Sequence, residues 1–422
     1  MAAREAGYYL LPSMRRKTLI PLIFALLLYL LVEAVSLAGL WTLRKTRGIT
    51  WFPIASRLEP AAIAGLDRFL ADPGSALLVP DPDLGWVRRN SEINAAGMRD
   101  DREYSLEPAT GVLRISAFGD SFTYGSDVPL GDNWTKRISA MRPSIEVLNY
   151  GLGAYGLDQA YLRYLRDGPT YRPDIVFIGY MSENFARTVN VYRGFYTTSY
   201  RNFFFSKPRF RLEHDTLVLI PNPLRTMADY RRLRDNQEAV LRELGRNDFH
   251  FAGQYGAGPF DFSPTVRLGK IAVALIRKRA QTPILTRDGL YEPRSEAYRL
   301  TVAIFDQFYR KVLEDGALPV IIVLPDINDQ KRSRDGLPRR YGILLENFRA
   351  KGYRYVDALD AFEPVESQYT VDDLVVQWGH FSKLGNDLVA KHILGQLAEW
   401  DLVEGPHADS AAVMERHRLG LH

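Results

Sequence analysis

The sequence predicts a three-layer α/β/α domain on a parallel, flavodoxin-like sheet, preceded by one apolar helix. Three observations carry that prediction. Short β-branched runs alternate with amphipathic helical patterns along most of the 422 residues. Several of those runs stop at a glycine or a polar turn, as strands do where they leave a sheet. Ahead of them, Leu19–Leu43 is 25 residues long and carries a single charge, Glu33.

As a helix, Leu19–Leu43 would be roughly 37 Å long, enough to cross a bilayer core of about 30 Å with some tilt. Arg15-Arg16-Lys17 and Arg44-Lys45 flank it, so basic residues on both sides leave its orientation unset by charge. Ser36-Leu37-Ala38 has the small residues of a leader cleavage site. The apolar stretch is long for a cleaved leader and runs past that site, so a retained anchor contacting the lipid bilayer through residues 19–43 is expected. Glu33 could be tolerated there near an interface or by pairing with another helix, and the sequence assigns it to neither.

Residues 44–82 read as a stalk or lead-in with a helical pattern at Pro60–Leu70. The strands then read Val112–Phe118, Ile145–Asn149, Ile175–Gly179, Val320–Leu324 and Tyr353–Val356. Helical patterns fall at Trp134–Met141, Leu157–Arg166, Glu296–Glu314, Tyr341–Lys351 and Leu384–Trp400. In Glu296–Glu314 the apolar residues Leu300, Ile304, Phe308 and Val312 make an i, i+4 stripe. An insertion of about residues 185–295 interrupts the alternation, rich in aromatics and arginine, with a hairpin pattern at Leu212–Pro221 and a charged helix at Met227–Leu244. A connection this long is structured or functional. It reads equally as a lid that builds an acyl or sugar pocket, with aromatic faces for sugar rings, and as a self-packing or membrane-facing insertion. Residues 401–422 read as a loose polar tail.

Composition excludes several functions. Net charge is only +4 with the basic residues dispersed, so no nucleic-acid partner is expected. The chain has no cysteine, hence no disulfide, thiolate metal site or cysteine nucleophile. Its seven histidines are scattered without metal-ligand spacing; no metal and no cofactor are expected.

The most informative stretch is Val112–Gly125, VLRISAFGDSFTYG. A buried strand ends at Gly119-Asp120-Ser121, which puts Ser121 just beyond a strand's carboxyl end, where ligands bind in open α/β sheets. Three further blocks follow. Val147–Gln159 (VLNYGLGAYGLDQ) is a strand running into a glycine-rich loop. Asp174–Asn184 (DIVFIGYMSEN) is a strand ending at a glycine with an asparagine five residues on. Gly379–Asn386 (GHFSKLGN) precedes an amphipathic helix. Four such blocks in this order resemble the SGNH (GDSL) hydrolase family over roughly residues 83–400. The stretch from Gly85-Trp86 to Arg99-Asp100 resembles the lead-in of its membrane-anchored bacterial members.

The resemblance implies a serine esterase. Ser121 would be the nucleophile and His380 its base. The oxyanion hole would be the N–H of Ser121, an N–H at Gly153 or Ala154, and the side-chain amide of Asn184. It further implies that residues 1–18 lie in the cytoplasm and the domain outside the cytoplasmic (inner) membrane, and it suggests an O-acetyl ester of an acylated cell-envelope polysaccharide as substrate. One position departs from the family pattern. The aspartate usual three residues before the histidine is Gln377 here, which accepts a hydrogen bond but offers no charge to an imidazolium. Asp372 and Asp373 lie a few residues upstream. Three expectations follow: a Ser–His dyad assisted by Gln377, a triad using Asp372 or Asp373, or a weak relative. On function, the alternatives are an O-acyltransferase using the same Ser/His site and a noncatalytic carbohydrate-binding or assembly protein.

Overall fold

The structure is a computed structural model that describes residues 13–197, 202–377 and 379–403, with 415, 418 and 419. In chain order its elements begin with α1 (Ser13–Arg47), α2 (Pro60–Ala71) and a hairpin of β1 (Leu78–Asp81) and β2 (Gly85–Arg88). The first half of the domain follows: β3 (Leu113–Phe118), α3 (Ser121–Tyr124), α4 (Trp134–Met141), β4 (Ile145–Asn149), α5 (Leu157–Asp167) and β5 (Ile175–Met181). The long insertion comes next, as α6 (Asn184–Arg187), α7 (Arg193–Tyr196), β6 (Arg209–Glu213), β7 (Thr216–Ile220), α8 (Met227–Asp235), α9 (Gln237–Gly245) and α10 (Pro264–Arg279). The domain closes with α11 (Glu296–Glu314), β8 (Leu318–Leu324), α12 (Ile327–Arg334), α13 (Gly342–Lys351), β9 (Tyr355–Asp357), α14 (Val371–Leu374) and α15 (Lys383–Glu399).

The central sheet runs β4-β3-β5-β8-β9, and every pairing in it is parallel. Counted along the chain, that is the order 2-1-3-4-5 of flavodoxin-like sheets, with its switch point between β3 and β5. Strands β3, β5 and β8 are buried throughout, which explains their unbroken apolar runs: both faces are covered by helices. On one face Phe118, Val176, Ile178, Ile321 and Val323 pack with α5, α11 and α13. On the other, Ile115, Ala117, Phe177, Val320 and Ile322 pack with α4 and α15.

Several local expectations change. The helix expected over Met227–Leu244 is two, broken at Asn236, whose φ of −135° and ψ of 62° are not helical. The Leu212–Pro221 hairpin turns at His214 and Asp215, both at positive φ, as a two-residue turn of the right hand for twisted strands requires. The segment read as a stalk packs into the domain. Ile54, Leu58, Ala62 and Leu66 are buried in a third cluster with Trp86, Phe195, Phe204, Phe205 and Tyr230. That cluster also answers the lid question for these rings: Phe69, Phe204, Phe205 and Tyr230 pack on one another at centroid distances of 4.3–6.1 Å, so they form a core and not a sugar platform. The expectation of a cytoplasmic N-terminus lies largely outside the described residues, as does most of the tail. Within the tail, Glu415 is buried and accepts a hydrogen bond from Tyr309.

Candidate active site

Ser121 opens α3 immediately beyond β3, at the switch point. The turn that carries it is built by close approach. A Cβ at Gly119 or Gly179 would collide with Thr123, and one at Gly151 with the backbone of Thr123 and Tyr124. Glycines at the ends of β3 and β4 and within β5 thus let the α3 turn settle between three strands. Asp120 caps the turn, its Oδ1 accepting from the Phe122 N–H at 2.9 Å. Its other oxygen accepts from Asn184 Nδ2 at 2.9 Å. The chain therefore ties the serine turn to the asparagine at the end of β5. An amide nitrogen carries two N–H groups, and Asp120 takes one of them. Burial pushes the Asp120 carboxyl above its usual range; Arg187, the Phe122 N–H, Asn184 and His380 pull against that shift.

The glycine-rich loop is held by its carbonyls. Trp86 Nε1 donates to Gly153 O at 3.1 Å, Arg193 Nη2 to Ala154 O, and Arg187 Nη1 to Tyr155 O at 2.8 Å. A planar trans peptide then fixes the N–H of the following residue in the opposite direction. Ala154 sits at φ +65°, a conformation costing an alanine on the order of 1 kcal/mol, and a Cβ built on Gly153 would meet open space. Arg187 also pairs with Glu183 at 2.9 Å. Burial opposes ionisation of Glu183, but Arg187 and Arg193 outweigh it and hold the carboxyl below its usual range.

His380 lies on the loop before α15. Its ring stands 5.1 Å from the ring of Phe122, the residue after Ser121. Its Nδ1 is 2.5 Å from Asp127 Oδ2. None of the three expected upstream groups makes that contact. Asp373 turns its carboxylate to the N–H and hydroxyl of Thr370, both at 2.7 Å, because it closes the capping box of α14. Asp372 and Gln377 are exposed to solvent. The acid facing the histidine comes instead from the serine's own loop, six residues after Ser121. The sequence around His380 gives no sign of it. The Gly-Ser-Asp turn signal at 125–127 was available.

Arg99 holds that loop in place. Its buried guanidinium donates to Tyr124 O at 2.6 Å and Val128 O at 2.8 Å, and lies 4.3 Å over the Tyr124 ring. Beyond β5, Ser182 Oγ donates to Asp329 at 2.6 Å while Arg340 bridges Asp329 and Asp326 at 2.8 Å each. Burial and the neighbouring Asp326 push the Asp329 carboxyl up to about 6. This network fixes the chain two residues before Asn184. Among the described residues no cluster of histidine and carboxylate side chains could hold a metal ion.

Ser121, His380 and Asn184 are therefore gathered at one end of the sheet, with the Gly153–Ala154 loop beside them. Chemically this offers a hydroxyl, an imidazole with a carboxylate on its Nδ1, and N–H donors from three segments. No family model and no curated protein matches the sequence. Among solved structures, the chain is similar to a member of the lipolytic protein G-D-S-L family from Veillonella parvula, at 11% identity and a TM-score of 0.34, covering 67% of this chain and 97% of that one. It is also similar to an acetylxylan esterase from Geobacillus stearothermophilus, at 14% identity and a TM-score of 0.35, covering 68% and 95%. A third is LAE5, an α/β hydrolase from the metagenome of Lake Arreo, at 12% identity and a TM-score of 0.36, covering 69% and 97%. Likeness at this level carries no argument about chemistry, which rests on this chain's own residues.

Proposed function

We propose that the chain is a serine ester hydrolase of the SGNH type, held at a membrane by α1. The observation that carries this reading is the 2.5 Å contact of Asp127 with His380 Nδ1, on a ring packed beside the serine turn. A carboxylate there keeps the Nδ1 proton in place and leaves Nε2 free to accept one. Ser121 Oγ attacks the acyl carbon as its proton passes to His380 Nε2, and the carbonyl electron pair moves onto oxygen. The resulting oxyanion is received by the Ser121 N–H, an N–H of the Gly153–Ala154 loop and the second N–H of Asn184 Nδ2. Collapse breaks the ester C–O bond, and the imidazolium protonates the departing alkoxide. Water, activated by the same imidazole, then attacks the acyl-serine and restores Ser121. Asp127 supplies the charge that Gln377 lacks, which speaks against a noncatalytic reading.

Placement supports the substrate class. Helix α1 has a mean hydropathy of 2.4 over its apolar stretch, and almost none of that stretch is buried in protein. As a signal anchor it would put the hydrolase domain on the extracytoplasmic side of a bacterial inner membrane, where O-acetylated envelope polysaccharides are the ester-bearing polymers at hand. The test uses purified full-length chain in detergent. A fluorophosphonate should label Ser121 and lose that site in Ser121→Ala, and short-chain acetyl esters should be hydrolysed by the first protein only. Labelling that persists in Ser121→Ala, or equal hydrolysis by both, overturns the reading.

A further inference from the structure

Glu33, the one charge in the apolar stretch of α1, is not left alone. Ser263 Oγ donates to its Oε1 at 2.6 Å and the Thr265 N–H to its Oε2 at 3.2 Å. Both donors belong to the start of α10, so the carboxylate sits at the positive end of a sixteen-residue helix. The two helices stay together for another turn and a half. Ser36 Oγ and Thr265 Oγ1 are 2.9 Å apart, and at Gly39 an added Cβ would lie 3.3 Å from Leu268, the close approach that small residues permit between membrane helices.

Depth follows from arithmetic. Leu19–Val32 spans only about 21 Å at about 1.5 Å per residue, short of the about 30 Å of a bilayer core. With Arg15–Lys17 at one surface, the level of Glu33 lies inside the hydrocarbon near the other. Whatever docks on Glu33 must reach that level too. The turn leading into α10 is suited to it. Phe260 is 64% and Phe262 69% exposed, while its polar groups are paired internally: Asp261 with Lys270 at 2.6 Å and with the Gly258 N–H at 2.8 Å. Further along α10, Val273, Leu275 and Ile276 are exposed, followed by Arg277-Lys278-Arg279. On the domain side of α10 a cavity of about 530 Å³ combines apolar walls (Phe251, Tyr255, Val273) with Arg277, and with Arg242 and Lys270, which pair with Glu238 and Asp261. Apolar rings below and cations above match acyl chains and anionic headgroups.

We propose that residues 258–279 are a second membrane-contacting element, which dips beside α1 into the leaflet on the domain's side, with Phe260 and Phe262 among the acyl chains. This rests on the reading of α1 as a membrane span. The occupant of the exposed face is lipid. The chain contains no cysteine, so single substitutions can be spin-labelled without background. Phe260→Cys, Phe262→Cys and Ile276→Cys would be compared with Leu27→Cys on α1 and Leu337→Cys on the remote α12–α13 loop. Each full-length protein is reconstituted into phosphatidylcholine–phosphatidylglycerol vesicles and its label's access to oxygen and to a nickel chelate is measured. Labels at 260 and 262 should match 27, favouring oxygen, with 276 nearer the boundary and 337 favouring nickel. If 27 favours oxygen while 260 and 262 favour nickel, the second contact is wrong and the anchor stands. If 27 favours nickel, the anchor fails and takes the proposal with it. Labels at 260 and 262 closed to both reagents mean that protein, such as a second copy, covers this face, which also overturns the proposal.

Discussion

Replacing Asp127 by Asn separates a His380 oriented by charge from one oriented by Gln377. Asp127 sits at φ +67°, a left-handed conformation that asparagine tolerates better than alanine, so the substitution leaves the loop in place. It removes the charge that stabilises the imidazolium. It also lets an amide N–H face Nδ1, which selects the tautomer whose Nε2 already holds a proton. In a buried Ser-His-Asp site that change costs about 10⁴ in kcat, whereas a fully exposed ion pair contributes less than about 1 kcal/mol. Here the side chains are 20% exposed for His380 and 35% for Asp127, between those limits. The expected loss is about 10²–10³ in kcat, or about 3–4 kcal/mol, with KM little changed. The assay is steady-state hydrolysis of phenyl acetate by the full-length protein in detergent, with thermal unfolding followed in parallel to confirm an unchanged fold. Gln377→Ala and Asp373→Asn should each stay within a few-fold of the parent. Full activity in Asp127→Asn, together with a collapse in Gln377→Ala, would refute the assignment.

Three more outcomes are expected. On the proposed mechanism Asn184→Ala removes one oxyanion donor and should lower kcat by about 10²–10³ with KM nearly intact; an effect on KM alone in the same assay would make it a ground-state contact. Gly119→Ala drives a methyl into Thr123 and should cost about 1–3 kcal/mol, read as a lower midpoint in thermal or urea unfolding, and an unchanged midpoint would mean the turn is looser than the geometry says. The third concerns pH. Because the folded Asp329 carboxyl is pushed up to about 6, above its unfolded value of about 3.9, the folded state holds this proton more tightly. The stability it contributes is complete below about pH 4 and is lost as pH rises through about 6, by at most about 3 kcal/mol. Measured against Asp329→Asn, the parent's unfolding free energy should therefore fall between pH 4 and 6 and run parallel above; a constant difference across that window would contradict the shift.

Much of the sheet was legible because its strands are covered on both faces. Ile175–Met181 and Leu318–Leu324 read as unbroken apolar runs for that reason, and only their ends moved. Helix α11 was legible because one face alone is buried, leaving the Leu300, Ile304, Phe308 stripe. Helix α10 was not, because its apolar residues divide between the contact with α1, the domain and the exposed face, so no single stripe forms. The aromatic segment at Phe203–Phe205 was ambiguous in principle: a ring that packs a core and a ring that receives a sugar have the same letter. At the site, the places of Ser121 and Asn184 just beyond β3 and β5 were readable because strand ends announce themselves through Gly119 and Gly179. The turn at Gly125-Ser126-Asp127 was readable too, but the contact of Asp127 with His380 was not, since it joins residues 253 apart and only the fold brings them together.

That long-range contact explains how position 377, three residues before His380, can be a glutamine. When the orienting acid comes from the histidine's own loop, the geometry of residues 377–380 must be kept by that short stretch alone. Here the two loops are fastened to each other at several points. Asp127 meets His380, Lys383 Nζ lies 2.9 Å from Asp132, Asn386 Oδ1 accepts from the Trp134 N–H at 3.0 Å, and Arg137 pairs with Asp387. Trp134 is itself buried, its Nε1 donating to Phe122 O at 3.0 Å, so the seam runs back to the serine turn. The loop of Ser121 and the loop of His380 are thus one cross-braced unit, and Arg99 stakes its middle through the carbonyls of Tyr124 and Val128. An acid placed within this unit is oriented by the seam, and residue 377 is released to solvent with no structural duty toward the ring. The departure at 377 is then a relocation of the charge and not its loss.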